Sequence, residues 1–346
     1  MEPSNPELTG SPIGVLVCNL GTPAAPTAEA VRAYLREFLT DPMVVQPPPP
    51  RWVWRIILET MILPGRPGRV AEKYAAIWTP EGSPLLVNSR RIAAALEHRL
   101  INEIGSPLSV EPAMRYGEPS IEHGVGALRG CGKLVILPLF PQSSDATTGS
   151  VFNVIGRSGL RPDSFNPGVG SETRPTIKIP HYYNEPLYID AIAESIREHW
   201  DAHGRPEQLL ISFHGMPRRY ADSDDYATQC RKTASLIAGR LDLADADWQL
   251  CYQSRFGRGA WLEPYTFEVI KHLGHSHAKR VDVIAPGFAA DCLETLHELA
   301  IEGRELFQSA GGGEYHYIRA LNDRPDHIAA LAGVVRKALG GGKENR

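Results

Sequence analysis

Four short, mostly apolar runs constrain this chain more tightly than any other feature: IGVLVC at 13–18, LVILPL at 134–139, LLISF at 209–213 and VDVIA at 281–285. None alternates cleanly with polar residues, so each fits a strand buried on both faces, the kind that builds parallel sheets. Each is closed by a Gly, Pro or small polar cluster and followed by a stretch of helical periodicity. The first such stretch opens at Thr27, an N-cap with Glu29 in the first turn. Val31, Tyr34, Leu35, Phe38 and Leu39 then recur at three- and four-residue spacing. Further helices are predicted over 89–100, 118–128, 188–200, 226–241, 266–273, 291–307 and 325–339, with another strand over 248–252. This alternation predicts an α/β chain with two parallel sheets, each covered by helices. The divisions expected are 1–180 and 181–325, then a closing helix and frayed tail over 326–346.

With 346 residues, 42% of them hydrophobic, the chain can bury a sizeable core in two domains, and its net charge of −4 argues against a general nucleic-acid binder. Its five cysteines, Cys18, Cys131, Cys230, Cys251 and Cys292, are scattered with no CxxC pair. That pattern suits a reducing compartment and offers no four-cysteine centre. The opening MEPSNPELTGSP lacks the basic and apolar segments of a secretion signal, and no run reaches the length of a membrane span. NLGTP at 19–23 contains one glycine, short of a nucleotide fingerprint.

Four stretches carry chemistry. His214 follows the 209–213 strand directly and is itself followed by Gly215, Met216 and Pro217, so it stands at the carboxyl end of a central strand, where open parallel sheets place ligands. Glu294, Glu298 and Glu302 recur every four residues and share a helix stripe, with Asp291 one turn earlier. Like charges at this spacing repel, so a plain structural helix gains nothing from them. A looser π winding would align them more closely, and such segments are enriched at functional sites. The bland account is a solvated face compensated by His297 and Arg304. After the four prolines at 47–50, residues 51–63 are apolar (Trp52, Trp54, Ile56, Ile57, Leu58, Met61, Ile62, Leu63). Over 51–73 the five cations Arg51, Arg55, Arg66, Arg69 and Lys73 exceed Glu59 and Glu72 by three charges. This stretch is either a core helix with solvated ends or an apolar lip meeting a membrane or a large flat ligand. PQSSDATTGS at 141–150 places five Ser/Thr hydroxyls beside Asp145, to cap a helix starting near Thr148 or to bind an anion there.

Nine motifs in order now amount to a resemblance: NLGTP at 19–23, FLTDP at 38–42, KYAAIWTPEGSPL at 73–85, MRYGEP at 114–119, FPQSSDATTGS at 140–150, SFHGMP at 212–217, YQSRFG at 252–257, WLEPYT at 261–266 and PGFAADCLETLHEL at 286–299. The chain resembles the ferrochelatase family of haem synthesis, in its Gram-negative bacterial type. The resemblance implies two similar Rossmann-like lobes with the active cleft between them, holding a porphyrin into which ferrous iron, a substrate, is inserted. It implies His214 and Glu294 as the catalytic pair at the metal, with Tyr74, Arg115, Tyr116, Trp261 and Phe288 near the porphyrin, and it matches 52–63 to the family's lip. The residue types suit that chemistry. Metallation removes two inner N–H protons, and a histidine with an ordinary pKa of about 6.5 accepts protons at neutral pH. A carboxylate row can conduct protons away or guide a hard dication inward.

Two departures from the family pattern stand out. Many relatives carry Asp-His-x-Glu where this chain has Asp291, Cys292, Leu293 and Glu294, so a metal-handling share of that histidine is lost or passes to Asp291. Asp145 and the ending KALGGGKENR replace cysteines that hold an iron–sulfur cluster in some relatives, so no cluster and no permanently bound cofactor is expected. The resemblance further implies a cytoplasmic protein, peripheral to the inner membrane if the lip is used. Coproporphyrin or cobalt in place of protoporphyrin and iron, and a non-catalytic porphyrin binder, stay open as alternatives, as does the oligomeric state.

Overall fold

A computed structural model describes residues 11–45, 50–157, 174–221, 224–255 and 259–340. The prolines at 47–49, Phe256 and Gly257 of the YQSRFG motif, and the 341–346 tail lie outside the described residues.

The described strands form two four-stranded sheets, all parallel, ordered β2-β1-β3-β4 and β6-β5-β7-β8. The first holds β1 (Ile13–Gly21), β2 (Leu108–Tyr116), β3 (Lys133–Pro138) and β4 (Thr176–Lys178). The second holds β5 (Gln208–His214), β6 (Trp248–Gln253), β7 (Arg280–Ile284) and β8 (Glu314–Ile318). The order is the same, so the repetition seen in the sequence is a repetition of topology. Even the loops after β2 and β6 correspond, since Met114 N–H donates to Pro119 O and Tyr252 N–H donates to Pro264 O.

Side chains alternate across a strand, and that period of two divides the core. Val15, Val17, Val135 and Leu137 of the first sheet share one cluster with Leu209, Ile211 and Phe213 of the second. Helices α4 (Pro84–Ile104), α7 (Pro186–His203), α9 (Tyr226–Arg240) and α12 (Pro325–Gly340) fill that shared layer. The alternate residues, Leu16, Cys18 and Ile136 in one sheet and Leu210, Val281 and Val283 in the other, face separate outer clusters. Both sheets are therefore covered on both faces, as their continuous apolar runs require.

Helix α1 (Ala28–Thr40) starts at the expected cap, with Thr27 Oγ1 accepting from Ala30 N–H at 3.3 Å. Helix α4 begins five residues before the predicted 89–100 span, because Pro84 serves as its first residue, where a missing N–H costs nothing. The lip combines both accounts of 51–63. Helix α2 (Arg51–Ile57) and the π-wound turn Leu58–Ile62 bury Leu58 and Leu63, each worth about 2 kcal/mol, while Trp52, Ile56 and Met61 remain 66%, 54% and 75% exposed. Trp54 is held from within, its Nε1–H donating to Leu39 O at 2.8 Å.

Candidate active site

In sheets of order 2-1-3-4 the chain leaves β1 and β3 in opposite directions, and the crevice beyond their carboxyl ends is where such folds take ligands. The two crevices meet each other here. A Cβ placed on Gly287, after β7, would lie 3.3 Å from Gln142 Oε1, after β3. Gln142 Nε2 donates to Thr233 Oγ1, Ser143 N–H donates to Gln229 Oε1, and Leu293 packs into the first half's Tyr34, Leu58 and Tyr74 cluster.

His214 is the last residue of β5 and is exposed. Its Nδ1 lies 2.7 Å from Gly215 O. A carbonyl oxygen only accepts, so Nδ1 carries the proton and Nε2 presents a lone pair, the state that can take a proton or bind a metal. Gly215 permits the sharp exit, since a Cβ there would stand 2.7 Å from Gln253 O and 3.2 Å from the Trp261 ring. Trp261 is thereby packed over the turn, fixed by a backbone bridge to Pro217.

Gln253, His214's partner on β6, donates from Nε2 to Glu294 O at 2.8 Å and anchors the start of the acidic helix. That helix is π-wound over Glu294–Gly303, as the functional reading of the row allowed. Its three glutamates differ. Glu294 is half-buried, and its charge reaches Tyr34, Tyr74, Cys292 and Glu298. Glu298 accepts from Ser254 N–H at 2.6 Å and from Ser254 Oγ–H at 2.5 Å. Burial pushes the Glu298 carboxyl above its ordinary range; the Ser254 bonds and His214 pull it down, and Glu294 adds to the rise. Glu302 pairs with Lys73 of α3 (Arg66–Ile77) at 2.6 Å, so its compensating cation is Lys73 and not Arg304, with His297 at 3.6 Å.

Asp291 stands apart from the row. It is fully buried and accepts from Thr295, Tyr317, Arg319, Ala320 N–H and Asn322, which uses up its lone pairs, so it takes over no metal-handling share from position 292. Cys292 is buried too, which drives its thiol pKa well up.

In the first half, Tyr74 is 6% exposed within the Tyr34 and Tyr116 cluster. Its pKa is raised well above the ordinary value, first by burial and then by the Glu294 charge. Arg115 and Tyr116 belong to a closed network. Asp41 Oδ2 accepts from Arg115 Nη2 at 2.5 Å, Tyr116 Oη at 2.7 Å and Ser150 Oγ at 2.5 Å, and Oδ1 accepts from Met43 N–H at 2.8 Å. Burial alone would raise Asp41; the bonds from Ser150, Met43 and Tyr116 and the Arg115 charge outweigh it and hold the carboxyl below its ordinary range. Tyr116 is fully buried, with Arg115 4.4 Å above its ring, and so supports Arg115 from behind. Phe288, half-buried, stands in the connection from β7 to the acidic helix.

The structure thus gathers His214, Glu294, Glu298, Trp261 and Tyr74 about one junction and encloses Tyr116. It also corrects the Ser/Thr loop. A π-wound turn, Asp145–Gly149, precedes α6 (Ser150–Arg157), and Ser144 makes no cap bond, while Ser150 is committed to Asp41. The sequence assigned no role to Asp41, Gln253 or Ser254, and it counted Lys73 among the cations of the lip stretch and not as the partner of Glu302. Asp41 and Ser254 had a visible signal, a polar residue ending an element inside a quoted motif.

The comparisons bear on this geometry. A family model described as Ferrochelatase matches residues 12–339. The chain belongs to the ferrochelatase family. The ferrochelatase of Thioalkalivibrio sulfidiphilus is 49% identical over 340 residues, covering 97% of this chain and 89% of that protein. The ferrochelatase of Nitrosomonas europaea is 45% identical, covering 96% and 90%. SirB from Bacillus subtilis, solved with Fe3+, shares the fold at TM-score 0.54 and 11% identity, covering 96% of this chain and 98% of its own. The ferrochelatase match makes this chain an enzyme of the metal-into-porphyrin type, on a two-lobed α/β fold.

Proposed function

We propose that the junction of the two carboxyl edges inserts ferrous iron into protoporphyrin IX, with the cleft dividing the chain near residue 180. The observation that carries this is His214 at a strand end, its Nδ1 hydrogen-bonded to Gly215 O so that Nε2 is the nitrogen left to accept a proton, with the Glu294 and Glu298 carboxyls beside it. In the reaction the two pyrrole N–H bonds break, the four ring nitrogens bond to iron, and two protons leave. His214 Nε2 accepts a proton from the ring, and Glu294 meets the incoming dication or takes the second proton. Glu298, its pKa raised by burial, passes protons outward. Trp261 and Phe288 offer flat surface to the macrocycle, with the buried Tyr74 backing the junction from within, and Arg115, oriented by Asp41 and Tyr116, faces a peripheral carboxylate. Side-by-side metallation of protoporphyrin, coproporphyrin and sirohydrochlorin with ferrous and cobaltous ions tests the assignment. Preference for iron and protoporphyrin is the expected result; preference for another pair reassigns the substrate.

The exposed Trp52, Ile56 and Met61 beside Arg51, Arg55 and Arg69 support peripheral contact with an anionic leaflet on the cytoplasmic side. Among the described residues no helix is long and apolar enough to cross a membrane. Flotation with anionic vesicles should show weak, salt-sensitive association that is lost when these three residues are changed to Ser. Equal flotation by both forms would contradict the contact.

A further inference from the structure

His199 and His203 occupy the last turns of α7, and His316 stands on β8. One ring nitrogen from each lies within 4.8 Å of the other two. The rings of His199 and His203 stack at 4.4 Å, and His316 meets them edge-on at 5.1 and 5.0 Å. Helix geometry puts an i,i+4 pair on one face, and strand register puts His316 beside Asp282 of β7. His203 is exposed and the other two half-buried, so a solvated ion can reach all three.

The surrounding groups are those that orient imidazole ligands. His203 Nδ1 lies 3.0 Å from His199 O, so it carries the proton and leaves Nε2 free. His199 Nε2 accepts from Arg280 Nη2 at 3.4 Å and lies 3.6 Å from Asp282 Oδ2, so it bears a lone pair, and an ion that takes this lone pair displaces the Arg280 contact. The Arg280 charge is matched by Asp282, which accepts from Arg280 Nε and Nη2 at 3.0 Å each. Trp200 Nε1–H also donates to Asp282, and Arg280 Nη1 donates to His203 O. Glu314 Oε2 lies 3.9 Å from His316 Nε2.

We propose that His199, His203 and His316 form a second metal site, taking a first-row divalent transition ion of imidazole preference such as zinc or cobalt. Three nitrogens and a water complete a tetrahedral set, whereas magnesium and calcium demand oxygen ligands. Bonds of about 2.0–2.1 Å require the rings to draw together, and the exposed His203 is placed to move. The site is remote from the cleft. Helix α7 leads into the amino end of β5, and His214 closes its carboxyl end about 20 Å away, at about 3.3 Å per residue. An ion here ties α7 to β8 and is not in transit to the porphyrin, so the inference stands apart from the reaction assigned to the cleft.

Equilibrium dialysis of the full chain against zinc alone, without porphyrin, tests it. His203→Ala and His316→Ala should each bind one zinc fewer than wild type, or bind it more than about tenfold more weakly, and should keep porphyrin metallation. His214→Ala should retain this ion. Melting curves give an independent reading: zinc should raise the melting temperature of wild type and not that of His203→Ala, with the two matching when metal is absent. The same zinc isotherm and the same zinc-dependent melting shift in wild type and His203→Ala would overturn the site.

Discussion

At the carboxyl edge of the first sheet the polar groups satisfy one another. Asn19 donates to Ser89, Thr22 to Ser83, and Asp41 receives Arg115, Tyr116 and Ser150. At the matching edge of the second sheet His214 keeps Nε2 unpaired, and Glu298 is half-buried with its pKa raised. Strand order is the same in both halves, so the difference lies in the side chains the topology delivers. One edge is a brace and the other is reactive, an instance of function residing in a site grafted on a fold.

The sharpest way to break this contrast is to remove the reactive group. His214→Ala should lower metallation by about 10²–10⁴-fold, because it removes the group that takes the first ring proton, while its melting temperature stays near wild type since the ring is exposed. Loss of stability with turnover retained would place His214 in the brace. Asp41→Ala should do the converse. It leaves the Arg115 charge unpaired against Tyr116 and should cost about 3 kcal/mol in denaturant unfolding, while the folded fraction keeps kcat and shows a raised KM for porphyrin as Arg115 loses its orientation. The Asp41 carboxyl is depressed in the folded state, so its contribution is present above the ordinary carboxylate range and lost as pH falls through the depressed value. Wild type and variant should therefore converge in stability on acidification.

Glu298→Gln tests the second edge more finely. A carboxyl raised on folding contributes fully below its unfolded pKa, and that contribution is lost as pH rises through the raised value. The glutamine variant has no such loss, so its melting temperature relative to wild type should climb with pH, with part of the turnover retained. A pH-independent difference would contradict the raised pKa. Glu302→Gln is expected to matter least. Its pair with Lys73 is partly solvated and worth under about 1 kcal/mol, so a small loss of stability is expected, not the gain that like-charge repulsion alone suggests.

The two edges were unequally legible in the sequence. Consecutive apolar residues specify buried strands, and the doubled alternation specifies two parallel sheets, so β1, β3, β5 and β7 could be read directly. His214 and the Glu294 row could be read as well, because a strand end and an i,i+4 spacing are local properties. The brace could not. Asp41 and Ser150 are 109 residues apart, and Lys73 and Glu302 are 229 apart, and sequence spacing carries no information about pairs that only the fold brings together. The π winding of Glu294–Gly303 was a condition the sequence could name without deciding.

The central claim is that His214 Nε2 takes a proton from the ring. Chemical rescue tests it most directly: imidazole added to folded, porphyrin-bound His214→Ala during anaerobic ferrous insertion. Turnover rising with imidazole concentration, in proportion to its neutral fraction across pH 6–8, is the expected result. Turnover near wild type without imidazole, or no response to imidazole in a variant that binds porphyrin normally, would contradict it.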